Sequence, residues 1–269
     1  MTKKNKMIRY RITVIGAGNM GSAIIKGIGR RHKITASDKD KGKLKRLSIR
    51  RSASSNNREG FVGADVIIIA VKPQHISVVM DELAGVVKKG QLVVSVAAGI
   101  TTSMIEKKLG RVPVIRVMPN TPLIVGQGMS VICPGRYAKP KQIRIAEALF
   151  ALMGEIITIK DEKLMDTATA ISGSGPAYVY LFIEALTESA KKLGLSHKAA
   201  CFLVAQTLAG ALGLLQTSGK TPEFLRRQVT SPGGTTEAAL KVFHKKKFHK
   251  IVHQAVKSAQ RRSRQLSRG

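Results

Sequence analysis

Tryptophan is absent from this 269-residue chain, aromatic residues make up 4% of it, and only two cysteines occur. Each scarcity excludes something. Proteins that read single-stranded nucleic acid stack bases on aromatic rings, and few rings are available here. Cys133 and Cys201 lie far apart with no CxxC spacing, which argues against a disulfide framework and against a zinc site; both are read as free thiols in a reducing compartment. Acids are scarce as well, 16 Asp and Glu against 46 Lys and Arg, for a formal net charge of +30. Such a surface attracts polyanions and leaves nucleic acid open as a partner. The bases are nevertheless scattered over the amino-terminal tail, residues 39–51 and the acid-free stretch 241–269, without a helix-turn-helix, zinc-finger or RNA-recognition signature. No signal-peptide pattern opens the sequence, and no apolar run is read as reaching the ~20 residues of a membrane span. The expectation is a folded cytoplasmic protein, its core drawn from a 43% hydrophobic composition.

What is present begins with RITVIGAGNMGSAIIKGIG (11–29), a β-rich run, a glycine turn and a helical pattern. Gly16, Gly18 and Gly21 form G-x-G-x-x-G where a dinucleotide-binding turn requires it. The first glycine suits a tight turn, the second close approach of a pyrophosphate, the third helix-to-strand packing. KITAS (33–37) reads as the second strand, ending at Ser37, Asp38 and Lys39, where the adenosine ribose is recognised. Asp38 argues for NAD, Ser37 and Lys39 for NADP, and both stay open. ADVIIIAVKP (64–73) and QLVVSVAAGI (91–100) read as strands buried on both faces of a parallel sheet. Their ends place Lys72, Pro73, Ala97, Ala98 and Gly99 on the ligand side of such a sheet. VIRVMPNTP follows, with Pro119 and Pro122 stiffening the loop that carries Asn120. MSVICPG and EIITIK supply further strands, closing an α/β domain over residues 1–160.

Residues 161–269 turn to helical periodicity. Two long alanine-rich helices, over 176–194 and 196–219, carry more apolar surface than one chain needs, which points to an interlocked dimer. SGSGP (172–176) and SPGGTT (231–236) are turns rich in hydroxyls and glycine at helix starts. Helix capping accounts for both, and a helix start with bare amides also seats a small anion. His249 and His253 are spaced i,i+4 with His244 nearby, but no carboxylate accompanies them and no metal is expected.

With GAGNMG, ADVIIIAVKPQ, VVSVAAGI, RVMPNTP, ISGSGPAYVY and SPGGTTEAAL in this order, the chain resembles Δ1-pyrroline-5-carboxylate reductases from about residue 10 to its end. The resemblance implies a Rossmann domain followed by an all-α dimerisation domain, homodimers that assemble further into rings, and NADPH- or NADH-dependent reduction of 1-pyrroline-5-carboxylate to L-proline. It places pyrophosphate over Gly18, Asn19 and Met20, adenosine near Ser37, Lys39 and Asn57, and nicotinamide near Ala70, Lys72, Pro73, Ala97, Ala98 and Asn120. It assigns the substrate carboxylate to Ser231 and the amides of Gly234, Thr235 and Thr236, and the ring nitrogen to the Thr236 hydroxyl, in a loop that serves the neighbouring subunit. HKKKFHK (244–250) and LRRQV (225–229) depart from the acid-containing family pattern. A related imine or hydroxyacid reductase and an inactive polyanion-binding scaffold are the alternatives.

Overall fold

The computed structural model describes residues 8–47, 52–54 and 61–267. These fall into two compact units, one formed by residues up to Ser174 together with those from Ala259 onward, the other by Gly175–Ser258. The first unit therefore extends past the 160/161 boundary read from periodicity. Glu162 bonds Thr102 and Arg116, and Ser263 bonds Asp166, so both flanking segments are tied into the α/β unit.

In that unit β1 (Arg11–Ile15), β2 (Lys33–Ser37), β3 (Ser52–Ser54), β4 (Val66–Ile69), β5 (Leu92–Ser95), β6 (Val114–Met118), β7 (Gly128–Pro134) and β8 (Gly154–Thr158) form one sheet, ordered β3-β2-β1-β4-β5-β6-β7-β8. All neighbours run parallel except β6 and β7. The first six strands have the doubly wound dinucleotide-binding order, whose reversal between β1 and β4 opens the crevice where ligands bind. The β-branched runs fit because both faces are covered. Ile12, Val14, Val66 and Ile68 pack with Ile24, Ile25 and Ile28 of α1 (Asn19–Gly29), while Ile15, Ile67 and Ile69 pack with Val79, Met80 and Leu83 of α3 (Ile76–Leu83). Between them in sequence lies α2 (Lys41–Arg46), and α4 (Thr102–Leu109) and α5 (Pro140–Phe150) follow. The stretch DEKLMDTATAIS, read as helical, instead passes from a 3-10 turn (Glu162–Leu164) through one α turn (Met165–Ala168) to a π turn (Thr169–Gly173).

The second unit holds α6 (Gly175–Lys192), α7 (His197–Ser218), α8 (Pro222–Gln228), α9 (Thr235–Lys245) and most of α10 (Phe248–Leu266). Ser196 and Thr221 cap α7 and α8 through their hydroxyls, and Gly219 ends α7 in the left-handed region. One expectation is corrected here. α7 is long and apolar enough to cross a membrane, with a mean hydropathy of 1.6 over its best 18-residue window. Isolated Gln and Thr residues break the run in sequence without lowering the average enough. Only 11% of that window is buried within the chain, and Tyr180, Leu181, Phe202 and Leu203 are exposed on α6 and α7. Such a surface requires either lipid or a protein partner.

Candidate active site

The glycine turn is built by steric exclusion. Gly16 has φ +99°, and a Cβ there would stand 2.6 Å from the Ala70 carbonyl oxygen; a Cβ on Gly21 would stand 1.8 Å from the Gly16 oxygen. Gly18 is different, because a Cβ there would meet nothing within 4 Å. The protein's own packing explains Gly16 and Gly21, and leaves Gly18 to be explained by what approaches from outside. Gly18 starts α1 without a side-chain cap, and the amides of Asn19, Met20 and Gly21 have no acceptor among the described residues. Three bare amides at the positive end of an 11-residue helix suit a pyrophosphate. The residues therefore fit a dinucleotide.

A cavity of about 400 Å³ opens beside this turn, lined by Gly16, Gly18, Asp38, Lys39, Lys43, Ala70, Lys72 and His75 among others. Of the predicted cofactor residues it brings together Gly16, Gly18, Lys39, Ala70 and Lys72. Ser37 is fully buried, its carbonyl accepting the Gly16 N–H at 2.7 Å, so it supports the turn from below. Pro73 opens a 3-10 turn next to Lys72. Ala97 is buried and packs into the core, so only its backbone can meet a ligand; Ala98 is half-buried. Asn57 lies outside the described residues. Asn120 is committed at both ends of its amide: Oδ1 accepts the Met129 N–H at 2.8 Å and Nδ2 donates to the Ser172 carbonyl at 3.2 Å. It ties the end of β6 to the SGSGP turn. Sequence reasoning missed Lys43, His75 and Val79 on the cavity wall; the first follows an Asp N-cap signal at Asp40, and the others carry no signal of their own.

In the second unit SPGGTT forms a turn. The Gly234 N–H closes it on the Ser231 carbonyl at 3.0 Å, Gly233 has φ +70°, and the Gly233 N–H donates to Glu237 Oε2 at 3.1 Å. The Lys241 ammonium and that N–H hold the half-buried Glu237 carboxyl below its ordinary range. α9 starts at Gly234 with no side-chain cap, so the hydroxyls here do not cap it. The Gly234 amide is taken up by the turn, which corrects its place among the anion-binding amides. Thr235 and Thr236 keep theirs, with no acceptor among the described residues. The Ser231 hydroxyl leans over Gly234, 2.4 Å from where a Cβ would stand. Among the described residues no group of three or more metal-binding side chains comes together, His244, His249 and His253 included.

Comparison with known proteins adds the family. Residues 162–266 match the model described as pyrroline-5-carboxylate reductase dimerisation, and residues 11–99 match one described as NADP oxidoreductase, coenzyme F420-dependent. The pyrroline-5-carboxylate reductase of Pseudomonas aeruginosa is 40% identical over 265 residues, covering 96% of this chain and 97% of that protein; the Pisum sativum enzyme is 38% identical, covering 96% of each. The solved pyrroline-5-carboxylate reductase of Coxiella burnetii superposes with a TM-score of 0.88 at 35% identity over 97% of this chain and 99% of that one. The Plasmodium falciparum enzyme, solved with NADP bound, gives 0.88 at 31% identity over the same shares. A glycine turn shaped for a dinucleotide, a helical unit with a large uncovered apolar surface, and this likeness along nearly the whole length place the chain in the pyrroline-5-carboxylate reductase family of NAD(P)-dependent oxidoreductases.

Proposed function

We propose that the protein reduces 1-pyrroline-5-carboxylate to L-proline, with NADPH or NADH as the source of the hydride delivered to the imine carbon. The observation that carries the site assignment is the start of α9, an uncapped helix whose Thr235 and Thr236 amides have no acceptor among the described residues. These amides and the Ser231 hydroxyl would hold the substrate carboxylate, and the Thr236 hydroxyl would hydrogen-bond the ring nitrogen. Once its nitrogen is protonated, a cyclic imine accepts hydride without a nucleophile or a metal; the task left to the residues is positioning and exclusion of water. Gly18 with the Asn19 and Met20 amides would hold the pyrophosphate, Lys39 and Asn57 the adenosine end, and Ala70, Lys72, Pro73 and the backbone of Ala97 and Ala98 the nicotinamide end. Ser37 and Asn120 act through the elements they tie down.

We further propose that residues 161–269 act as the dimerisation domain, that the chain works as a cytoplasmic homodimer, and that the 231–236 loop of one protomer serves the cofactor of its partner. The exposed apolar side chains of α6 and α7 support a protein partner over solvent. Oxidation of NADPH and of NADH, followed with and without 1-pyrroline-5-carboxylate, tests the reaction; absence of substrate-dependent oxidation with either cofactor would sink it. Thr236→Ala is expected to lower kcat by roughly 10- to 100-fold, the worth of one hydrogen bond to a charged group, with cofactor affinity nearly unchanged. Unaltered kcat would remove Thr236 from the site.

A further inference from the structure

At the carboxyl end of β2 the acids and the cations are turned to different tasks. Both Asp38 oxygens accept backbone N–H groups, Oδ2 from Ala17 at 2.8 Å and Oδ1 from Asp40 at 2.9 Å, and the side chain is 13% exposed. Asp40 is occupied as the N-cap of α2, its Oδ1 accepting from the Gly42 and Lys43 amides at 2.8 and 3.3 Å. An acid that reads a ribose diol presents its oxygens outward as acceptors. Here each oxygen already accepts one of the chain's own amides, so the acid that argued for NAD in the sequence also braces the glycine turn.

The cations line the same cavity as the two acids. Lys43 Nζ stands 3.6 Å from Asp38 and 3.9 Å from Asp40, which is attraction without a hydrogen bond, and its side chain lines the cavity while remaining 43% exposed. Its three N–H donors therefore have no hydrogen-bond acceptor among the described residues, and the two carboxylates hold the ammonium in place. Lys39 lines the same cavity but is 70% exposed and drawn toward Glu82 Oε1 at 3.5 Å. Of the two, Lys43 has less side-chain freedom to lose on binding an anion.

We propose that Lys43 selects an adenosine ribose bearing a 2′-phosphate, and so gives the enzyme its preference for NADPH over NADH, with Asp38 holding Lys43 and the turn in place. The inference rests on the reductase reading for the reaction, and on the cavity alone for binding. Calorimetric titration of the full-length protein with 2′,5′-ADP and with 5′-AMP, for the wild type and for Lys43→Ala, Lys43→Arg and Lys89→Ala, separates the two. The expected result is tighter binding of 2′,5′-ADP than of 5′-AMP by the wild type. Lys43→Ala should weaken 2′,5′-ADP about tenfold with little change for 5′-AMP, Lys43→Arg should keep the discrimination, and the exposed Lys89→Ala control should do the same. The ratio of kcat/KM for NADPH to that for NADH should fall by a similar factor in Lys43→Ala. Equal affinity of the wild type for both probes, or a loss of the same size in Lys89→Ala, would overturn the proposal, the latter by reducing the effect to overall charge. No turnover of 1-pyrroline-5-carboxylate alongside Lys43-dependent binding would support the selection and overturn only the reductase reading.

Discussion

Gly21→Ala is expected to abolish dinucleotide binding and to destabilise the α/β unit by about 3 kcal/mol, the upper part of the range for overpacking a core. The added Cβ would lie 1.8 Å from the Gly16 oxygen, 2.9 Å from its carbonyl carbon and 3.3 Å from the Ala70 Cβ. None of these atoms is the movable end of a side chain. Relief therefore requires α1 to lift from the sheet, and α1 carries Ile24, Ile25 and Ile28, all fully buried. The same shift would break the turn that presents the Asn19 and Met20 amides. Gly18→Ala is the informative contrast. Its φ of −71° suits any residue and its Cβ would meet no protein atom within 4 Å, so stability should change by less than about 0.5 kcal/mol. Dinucleotide affinity should still fall, because a methyl group would stand where the pyrophosphate approaches. Urea midpoints and NADPH fluorescence titrations on both variants check the pair. A Gly18→Ala protein that binds NADPH as the wild type does would contradict the placement of the pyrophosphate.

The two glycines also mark what could be read before the structure. Spacing after a β-rich run located the turn, and the apolar runs located the central strands, because burial on both faces leaves a continuous hydrophobic signature. KITAS became β2 residue for residue, spanning Lys33–Ser37. Roles that depend on a partner distant in the chain were not legible. Asp38 reads only as a candidate ribose acid, and its hydrogen bond from the Ala17 amide, 21 residues earlier, has no sequence signal. Asn120 reads as a cofactor neighbour, and the bonds its amide makes to Met129 and Ser172 have no sequence signal. Gly234 reads as an anion-binding amide until its turn closes on Ser231. In each case residue type reported a capacity to hydrogen-bond, and only the fold decided which partner was nearest. α7 failed for another reason: its apolar character is an average over an 18-residue window, invisible to a search for an unbroken run.

Removing one carboxylate far from the cavity should have an effect as large as the glycine substitution. Arg116 on β6 has a side chain only 4% exposed, and its Nη1 donates to Glu162 Oε1 at 3.2 Å. Its Nη2 is the one buried side-chain polar atom among the described residues without a hydrogen-bond partner. Glu162 is also the acceptor for the start of α4, taking the Thr102 N–H at 2.9 Å on Oε1 and the Thr102 hydroxyl at 2.7 Å on Oε2. One carboxylate thus neutralises a buried cation and complements a helix amino terminus, holding the segment after β8 against the sheet. Glu162→Ala leaves the guanidinium buried with both terminal nitrogens unsatisfied and should cost about 3–5 kcal/mol, the usual penalty for breaking a buried pair from one side. Glu162→Gln keeps an acceptor for Thr102 and should cost less. The double variant Arg116→Met with Glu162→Leu removes the buried charge as well as its partner, and should recover most of the loss, since two apolar side chains carry no desolvation penalty. Denaturant unfolding of the three variants measures this order. If Glu162→Ala lost less than about 1 kcal/mol, Arg116 would have to be solvated through Nη2, and the pair would be an ordinary surface bridge despite its burial.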